Sequence, residues 1–184
     1  MTFLLNRAFF LLIFASCISG SAIAVELERR ALVIANAEYS ELSRLPASKH
    51  DGVGFTALLR DKGYDVTFDE AGDSGEAEKL HASWTGFIKQ VGNFEKSGIA
   101  VVYFSGHGVE IDNDSYLLPI DLSANASEAE VRLKGLSVRK MYREFKEHQT
   151  RLKDEKGITL HGLFIFDACR TAFAEKRKPV FRGA

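Results

Sequence analysis

Two short motifs place a thiol and an imidazole where they could act on one another. Residues 162–171 read Gly-Leu-Phe-Ile-Phe-Asp-Ala-Cys-Arg-Thr, an apolar run that delivers Cys169 just past its end. A thiol is a useful nucleophile only when a base or a positive neighbour raises its thiolate fraction, and histidine is the usual partner. A second apolar run, Ile99 to Phe104, leads into Ser105-Gly106-His107-Gly108. Two glycines around a histidine suit a tight loop that lifts the imidazole clear of a sheet end, not the interior of a helix or strand. The chemistry to expect is nucleophilic attack by Cys169 with His107 as its proton partner.

The two runs must be neighbours for this to work. Leu163 to Phe166 is too short for a helix and too apolar for a loop, so it reads as a strand buried on both faces, as does Ile99 to Phe104. Adjacent strands lie about 4.8 Å apart. If these two run parallel, both loops open into the crevice beyond the carboxyl ends of the sheet, where ligands bind in open α/β folds.

The remaining chain alternates in the same way. Ala31 to Ala35 is a buried strand. Val53, Phe55, Leu58 and Leu59 form a helical stripe that stops at Gly63, and Tyr64 to Phe68 is a more exposed strand. Asp73 with Glu76 resembles a capping box for a helix carrying Leu80, Trp84, Phe87, Ile88 and Val91, which ends before Gly92. Tyr116 to Ile120 suggests a short hairpin-like return, and residues 123–135 read as loop. Ser137 caps a further helix whose Val138, Met141, Tyr142, Phe145 and Leu152 are expected to face the core. The expected fold class is α/β, a mostly parallel sheet with right-handed crossovers and helices on both faces.

The chain has 184 residues and a formal net charge of -1, which suits one domain and gives no basic footprint for nucleic acid. Residues 1–24 combine Arg7, the apolar segment Ala8 to Ile18 and the Ala22-Ile23-Ala24 site. They read as a secretory signal cleaved after Ala24, leaving a domain over residues 25–184 that is exported, periplasmic or secreted. Lipoprotein-type cleavage before Cys17 fits less well, because Phe14 is a poor residue at the first position of that site. With Cys17 removed, Cys169 is the single cysteine of an exported chain, a thiol to flag as reactive.

Tyr103-Phe104-Ser105-Gly106-His107-Gly108 followed by Asp167-Ala168-Cys169-Arg170 resembles the His and Cys motifs of the caspase-like cysteine peptidases, nearest the bacterial caspase-like and metacaspase branch. Residues 30–36 resemble that family's first strand, and Tyr116 to Asp121 the segment after its His loop, so the likeness runs from about Arg29 to Thr171. The resemblance implies a caspase-like, three-layer fold and a cysteine endopeptidase working through a His107 and Cys169 dyad. It further implies backbone N–H groups of Gly108 and Cys169 as oxyanion donors. True caspases carry Gln two residues before the nucleophile, where this chain has Asp167. A carboxylate there repels an acidic substrate side chain and pairs with a cationic one. By resemblance to metacaspases, Asp51 joins Asp167 in an acidic pocket, Ser105 helps line it, and cleavage falls after Arg or Lys in a protein or peptide substrate.

Blander readings exist for each residue: an inert cysteine, a helix N-terminal acid at Asp51, a turn residue at Asp167. His50, His81, His148 and His161 read as solvated, and Asp112-Asn113-Asp114 as a surface turn, because the glycine and glutamate of a calcium loop are absent. No cofactor or metal ion is implied. The family's fold continues past the Cys with further strands, whereas about fifteen residues follow it here. The expectation is therefore a domain lacking its C-terminal strands, completed by a missing half or a second chain, with Leu163 to Phe166 as an open edge. Lys176 to Lys178 reads as a solvated linker, or as a self-processing site. The alternative function is a non-catalytic interaction module that binds a partner through that edge. A redox or metal protein is weaker still, since no second cysteine or ligand cluster lies nearby.

Overall fold

The computed structural model describes residues 26–68, 76–168 and 171–172. The element order is β1 (Glu28–Ala35), α1 (Pro46–Asp61), β2 (Asp65–Phe68), α2 (Ala77–Gly92), β3 (Gly98–Gly106), β4 (Gly108–Ile111), β5 (Asp114–Leu117), α3 (Glu128–Lys134), β6 (Leu136–Ser137), α4 (Val138–Lys156), β7 (Leu160–Ala168) and β8 (Thr171–Ala172). Four parallel strands form the main sheet in the order β2-β1-β3-β7. The expected α/β architecture, with a mostly parallel sheet between helical layers, is the one observed.

β1 and β3 read as unbroken apolar runs because both faces are covered. The run Leu163 to Phe166 of β7, expected to be buried on both faces, is exposed or half-buried because β7 stands at the edge of the main sheet among the described residues. Along β1, Leu32 and Ile34 face α2 and α4, packing with Leu80, Trp84, Phe87, Met141, Phe145 and Leu152. The alternate residues Ala31 and Val33 face α1, packing with Leu59, Val101, Tyr103 and Phe55. Burial of this kind contributes on the order of 25 cal/mol per Å² of apolar surface, so these two clusters dominate the fold's stability. Helix α1 lies close because residue 52 is glycine: a β-carbon there would collide with the β-carbon of Ala35. Its chain leaves through Gly63, which adopts φ +76, a conformation that L side chains rarely adopt.

A second, small sheet has the order β6-β5-β4-β8. Strands β4 and β5 form a hairpin whose turn residues Asp112 and Asn113 have φ of 50 and 59. Positive φ at both central residues is the signature of the tight hairpin turn that matches strand twist. The hairpin-like return expected over Tyr116 to Ile120 thus spans 108–117 instead.

Four further expectations need correction. Residues 123–135 are not all loop: Ser127 caps α3 by accepting a hydrogen bond from the Glu130 N–H, and the Ser-x-x-Glu spacing could have revealed it. Tyr142 is 54 % exposed, because α4 rolls its Met141 and Phe145 inward and leaves Tyr142 at the rim beside Phe164. Asp114 belongs to the fold's interior and not to a surface turn: it accepts from the Ser137 hydroxyl at 2.6 Å and the Arg139 N–H at 3.1 Å, bracing the start of α4. His81 and His148 are partly buried with partners, the Lys134 carbonyl and the Arg151 guanidinium respectively, and are not simply solvated. At the start of α2, Glu76 makes no side-chain cap, and Asp73 lies outside the described residues.

Among the described residues β7 stands at the edge of the main sheet, and its Leu163 is 51 % exposed. The leader 1–24 with Cys17, and Lys176 to Lys178, lie outside the described residues.

Candidate active site

The core strand β3 ends at Gly106, and β4 begins at Gly108, so His107 sits at the bend where the chain passes from the large sheet to the small one. Strand β7 is the parallel neighbour of β3, with Ser105 opposite Asp167 and Gly106 opposite Ala168. The same two chains pair again beyond the bend, where Val109 lies opposite Thr171. Cys169 itself lies outside the described residues.

His107 is held at three points. Its ring Nε2 is 2.8 Å from the carbonyl oxygen of Ser43. A carbonyl only accepts, so Nε2 carries the hydrogen and Nδ1 keeps the lone pair in the neutral ring. The backbone N–H of His107 donates to the hydroxyl of Tyr39 at 2.7 Å, and the two rings meet edge to face with centroids 4.5 Å apart. Tyr39 in turn donates to the Leu118 carbonyl at 3.2 Å. Burial pushes its phenol up to about 12, against the opposing pull of its bonds to His107 and Asn36. The group is therefore a neutral hydroxyl at physiological pH, able to donate and accept together.

The hairpin also orients Gly108. Leu118 N–H donates to the His107 carbonyl at 2.9 Å, which puts that pair on the hydrogen-bonded beat of the antiparallel ladder. Alternation then turns the N–H of Gly108 away from β5, toward the side on which β8 pairs with β4. A backbone donor aimed there suits an oxyanion beside the strand ends.

Next to this bend, on the α1 face of the sheet, lies an open cleft of about 520 Å³ lined by His50, Asp51, Gly54, Phe55, Leu58, Tyr103 and Asp167. The structure thus places Asp51 and Asp167 on the lining of one cleft. Period-two alternation explains it: Tyr103, Ser105 and Asp167 share the sheet face that α1 covers, and Asp51 stands in the first turns of α1. Ser105 is 2 % exposed and sits behind the lining, reaching it through Tyr103. The Tyr103 phenol is raised by burial first, opposed by a hydrogen bond with Ser105, and raised again by the charges of Asp167 and Asp51. Phe55 stacks on it with centroids 4.4 Å apart.

Sequence reasoning missed Tyr39, the Ser43 carbonyl, Phe55, Tyr103 and the cleft-lining role of His50. Tyr103 was within reach, since it stands two residues before Ser105 on the same strand face. The Ser43 carbonyl carries no side-chain signal at all. Electrostatically the cleft is acidic, with two carboxylates and an aromatic wall, and just past the end of β3 stands His107, whose Nδ1 has no hydrogen-bond partner among the described residues.

Comparison with known proteins adds one positive finding: the family model described as "Caspase domain", of the C14 peptidases, matches residues 28–181. A search of curated proteins found no match.

Proposed function

The chain belongs to the caspase-domain family of peptidases, and from that premise we propose that it is a cysteine endopeptidase cleaving after Arg or Lys. Strand register carries this reading. Ala168 lies opposite Gly106 and Thr171 opposite Val109, so two residues on each chain separate the paired positions, His107 and Gly108 on one, Cys169 and Arg170 on the other. Equal spacing on parallel neighbours supports a Cys169 thiol within reach of the His107 imidazole.

In this mechanism the thiolate of Cys169 attacks the scissile carbonyl carbon, and the carbonyl π electrons move onto oxygen. N–H groups of Gly108 and Cys169 hold that oxyanion. Nδ1 of His107 takes the thiol proton and then gives it to the departing amine as the C–N bond breaks. Ser43 keeps the ring oriented through Nε2. Water, deprotonated by the same imidazole, releases the acyl group and restores the thiol. The acidic cleft seats the cationic side chain preceding the cut, and Asp51 and Asp167 there disfavour an acidic one.

The test is hydrolysis of matched fluorogenic peptides ending in Arg, Lys or Asp, beside Cys169→Ala and His107→Ala controls. Cleavage of the Arg and Lys peptides that both controls abolish is expected. Cleavage of the Asp peptide alone would overturn the specificity and leave the peptidase. Loss of all activity would favour a second reading, a non-catalytic module docking a partner on the β7 edge where Leu163 is exposed. Export directed by residues 1–24 is part of the same proposal, checked by finding Val25 as the N-terminus of the secreted or periplasmic chain.

A further inference from the structure

We propose that Tyr39 is a positioning residue for His107, its hydroxyl replacing a missing backbone bond of the β4–β5 ladder so that the imidazole loop is set by a side chain. The inference rests on the peptidase reading above. In an antiparallel hydrogen-bonded pair the two residues exchange both N–H···O=C bonds. His107 and Leu118 exchange only one: Leu118 N–H donates to the His107 carbonyl at 2.9 Å. In the other direction the His107 N–H donates to the Tyr39 hydroxyl at 2.7 Å, and that hydroxyl donates to the Leu118 carbonyl at 3.2 Å. The phenol is thus inserted into the ladder at its first rung. The insertion leaves the ring edge of Tyr39 against the imidazole.

Three further observations fit this arrangement. Tyr39 is 2 % exposed and packs in the small core with Val109, Tyr116 and Leu118, so its hydroxyl cannot drift. Residue 106 is glycine where a β-carbon would come within 2.7 Å of that hydroxyl, so the side chain's reach to the strand exit depends on the missing methyl. The segment between β1 and α1 supplies both grips on His107, Tyr39 on its backbone and the Ser43 carbonyl on its ring. A single loop therefore decides where the loop histidine points and which ring nitrogen carries the hydrogen.

Tyr39→Phe keeps the ring and removes only the hydroxyl. The readouts are peptide hydrolysis and the pH profile of iodoacetamide alkylation at Cys169, in full chains carrying Cys17→Ser so that one thiol reacts. Loss of the hydroxyl is expected to lower kcat about tenfold with KM nearly unchanged, and to lower the alkylation rate below neutral pH by a similar factor. Asp114→Ala removes two hydrogen bonds from the start of α4 without touching Tyr39 or His107. It serves as the control for simple destabilisation and is expected to leave both profiles unchanged. Gly106→Ala, which displaces the hydroxyl instead of deleting it, should behave as Tyr39→Phe does. Parental kinetics and alkylation in Tyr39→Phe would overturn the proposal, as would equal losses in Asp114→Ala. If the parent chain hydrolyses no peptide, the peptidase reading fails separately, and the alkylation profile still decides the role of Tyr39.

Discussion

Asp51 on α1 and Asp167 at the end of β7 line one cleft, and both act on the phenol of Tyr103, whose proton is held first by burial and then by their negative charge. A cationic side chain entering that cleft meets two carboxylates at once. Asp51→Asn and Asp167→Asn are each expected to lower kcat/KM for an Arg peptide by roughly ten- to hundredfold, mainly through KM. Steady-state kinetics check this. Equal kcat/KM in parent and variants would remove the carboxylates from substrate binding.

If the cleft seats a cationic side chain, the stacked Phe55 and Tyr103 pair would make it sensitive to the shape of that cation. A planar, weakly hydrated guanidinium stacks on an aromatic face better than a compact ammonium does. Phe55→Leu is expected to reduce the Arg to Lys preference by about three- to tenfold while the Lys peptide is little affected. Competition between the two peptides in one assay measures the ratio directly.

Gly52 sets how closely α1 approaches the sheet and hence where Asp51 stands. Adding a methyl group in Gly52→Ala forces α1 outward from Ala35. An overpacking cost of about 1–3 kcal/mol is expected, together with a rise in KM for Arg peptides that exceeds any fall in kcat. Urea unfolding and kinetics on the same preparation separate the two effects. A stable variant with parental KM would show that α1 does not position Asp51.

Asp114 braces α4 by two hydrogen bonds to its first turn, one through the Ser137 hydroxyl and one to the Arg139 N–H. Asp114→Ala leaves both donors unsatisfied and is expected to cost about 1–2 kcal/mol. The midpoint of urea unfolding reports it, and no shift would mean that solvent replaces the carboxylate freely.

His148 gives a pH dependence with a defined sign. Burial against α2, reinforced by Arg151, holds its imidazole below the ordinary histidine range. The folded chain therefore binds this proton less readily than the unfolded chain. Its contribution to stability is present above the unfolded value, about 6.5, and is lost as pH falls toward the lowered folded value. Stability should rise with pH across that window, and His148→Gln should flatten the rise. Unfolding midpoints at pH 5 and pH 7.5 test it; an unchanged slope in the variant would assign the pH dependence elsewhere.

Much of this molecule is legible in its sequence. The apolar runs around Val101 and Phe164 are strands because they are too short for a helix and too apolar for a loop, although only the first is covered on both faces. Gly106 and Gly108 mark His107 as a residue at a strand exit, and it does stand between β3 and β4. The failures have local causes. The capping spacing that starts α3 lies in polar text that looks like loop, and the stripe of α4 drifts far enough to expose Tyr142. Asp114 resembles any turn aspartate until Ser137 arrives from another part of the chain.

The sequence by itself determined which segments are the strands of the main sheet and which side chains can do chemistry, because apolar runs, glycine punctuation and residue type are properties of short stretches. Tertiary structure alone decided what holds His107. Its ring is oriented by a carbonyl 64 residues away and its backbone by a hydroxyl 68 residues away. A backbone carbonyl has no identity in the sequence, and a tyrosine in a loop looks like every other. Such contacts come into being only when the parallel strands pack, α1 closes on the sheet, and the segment between β1 and α1 is laid across the strand ends.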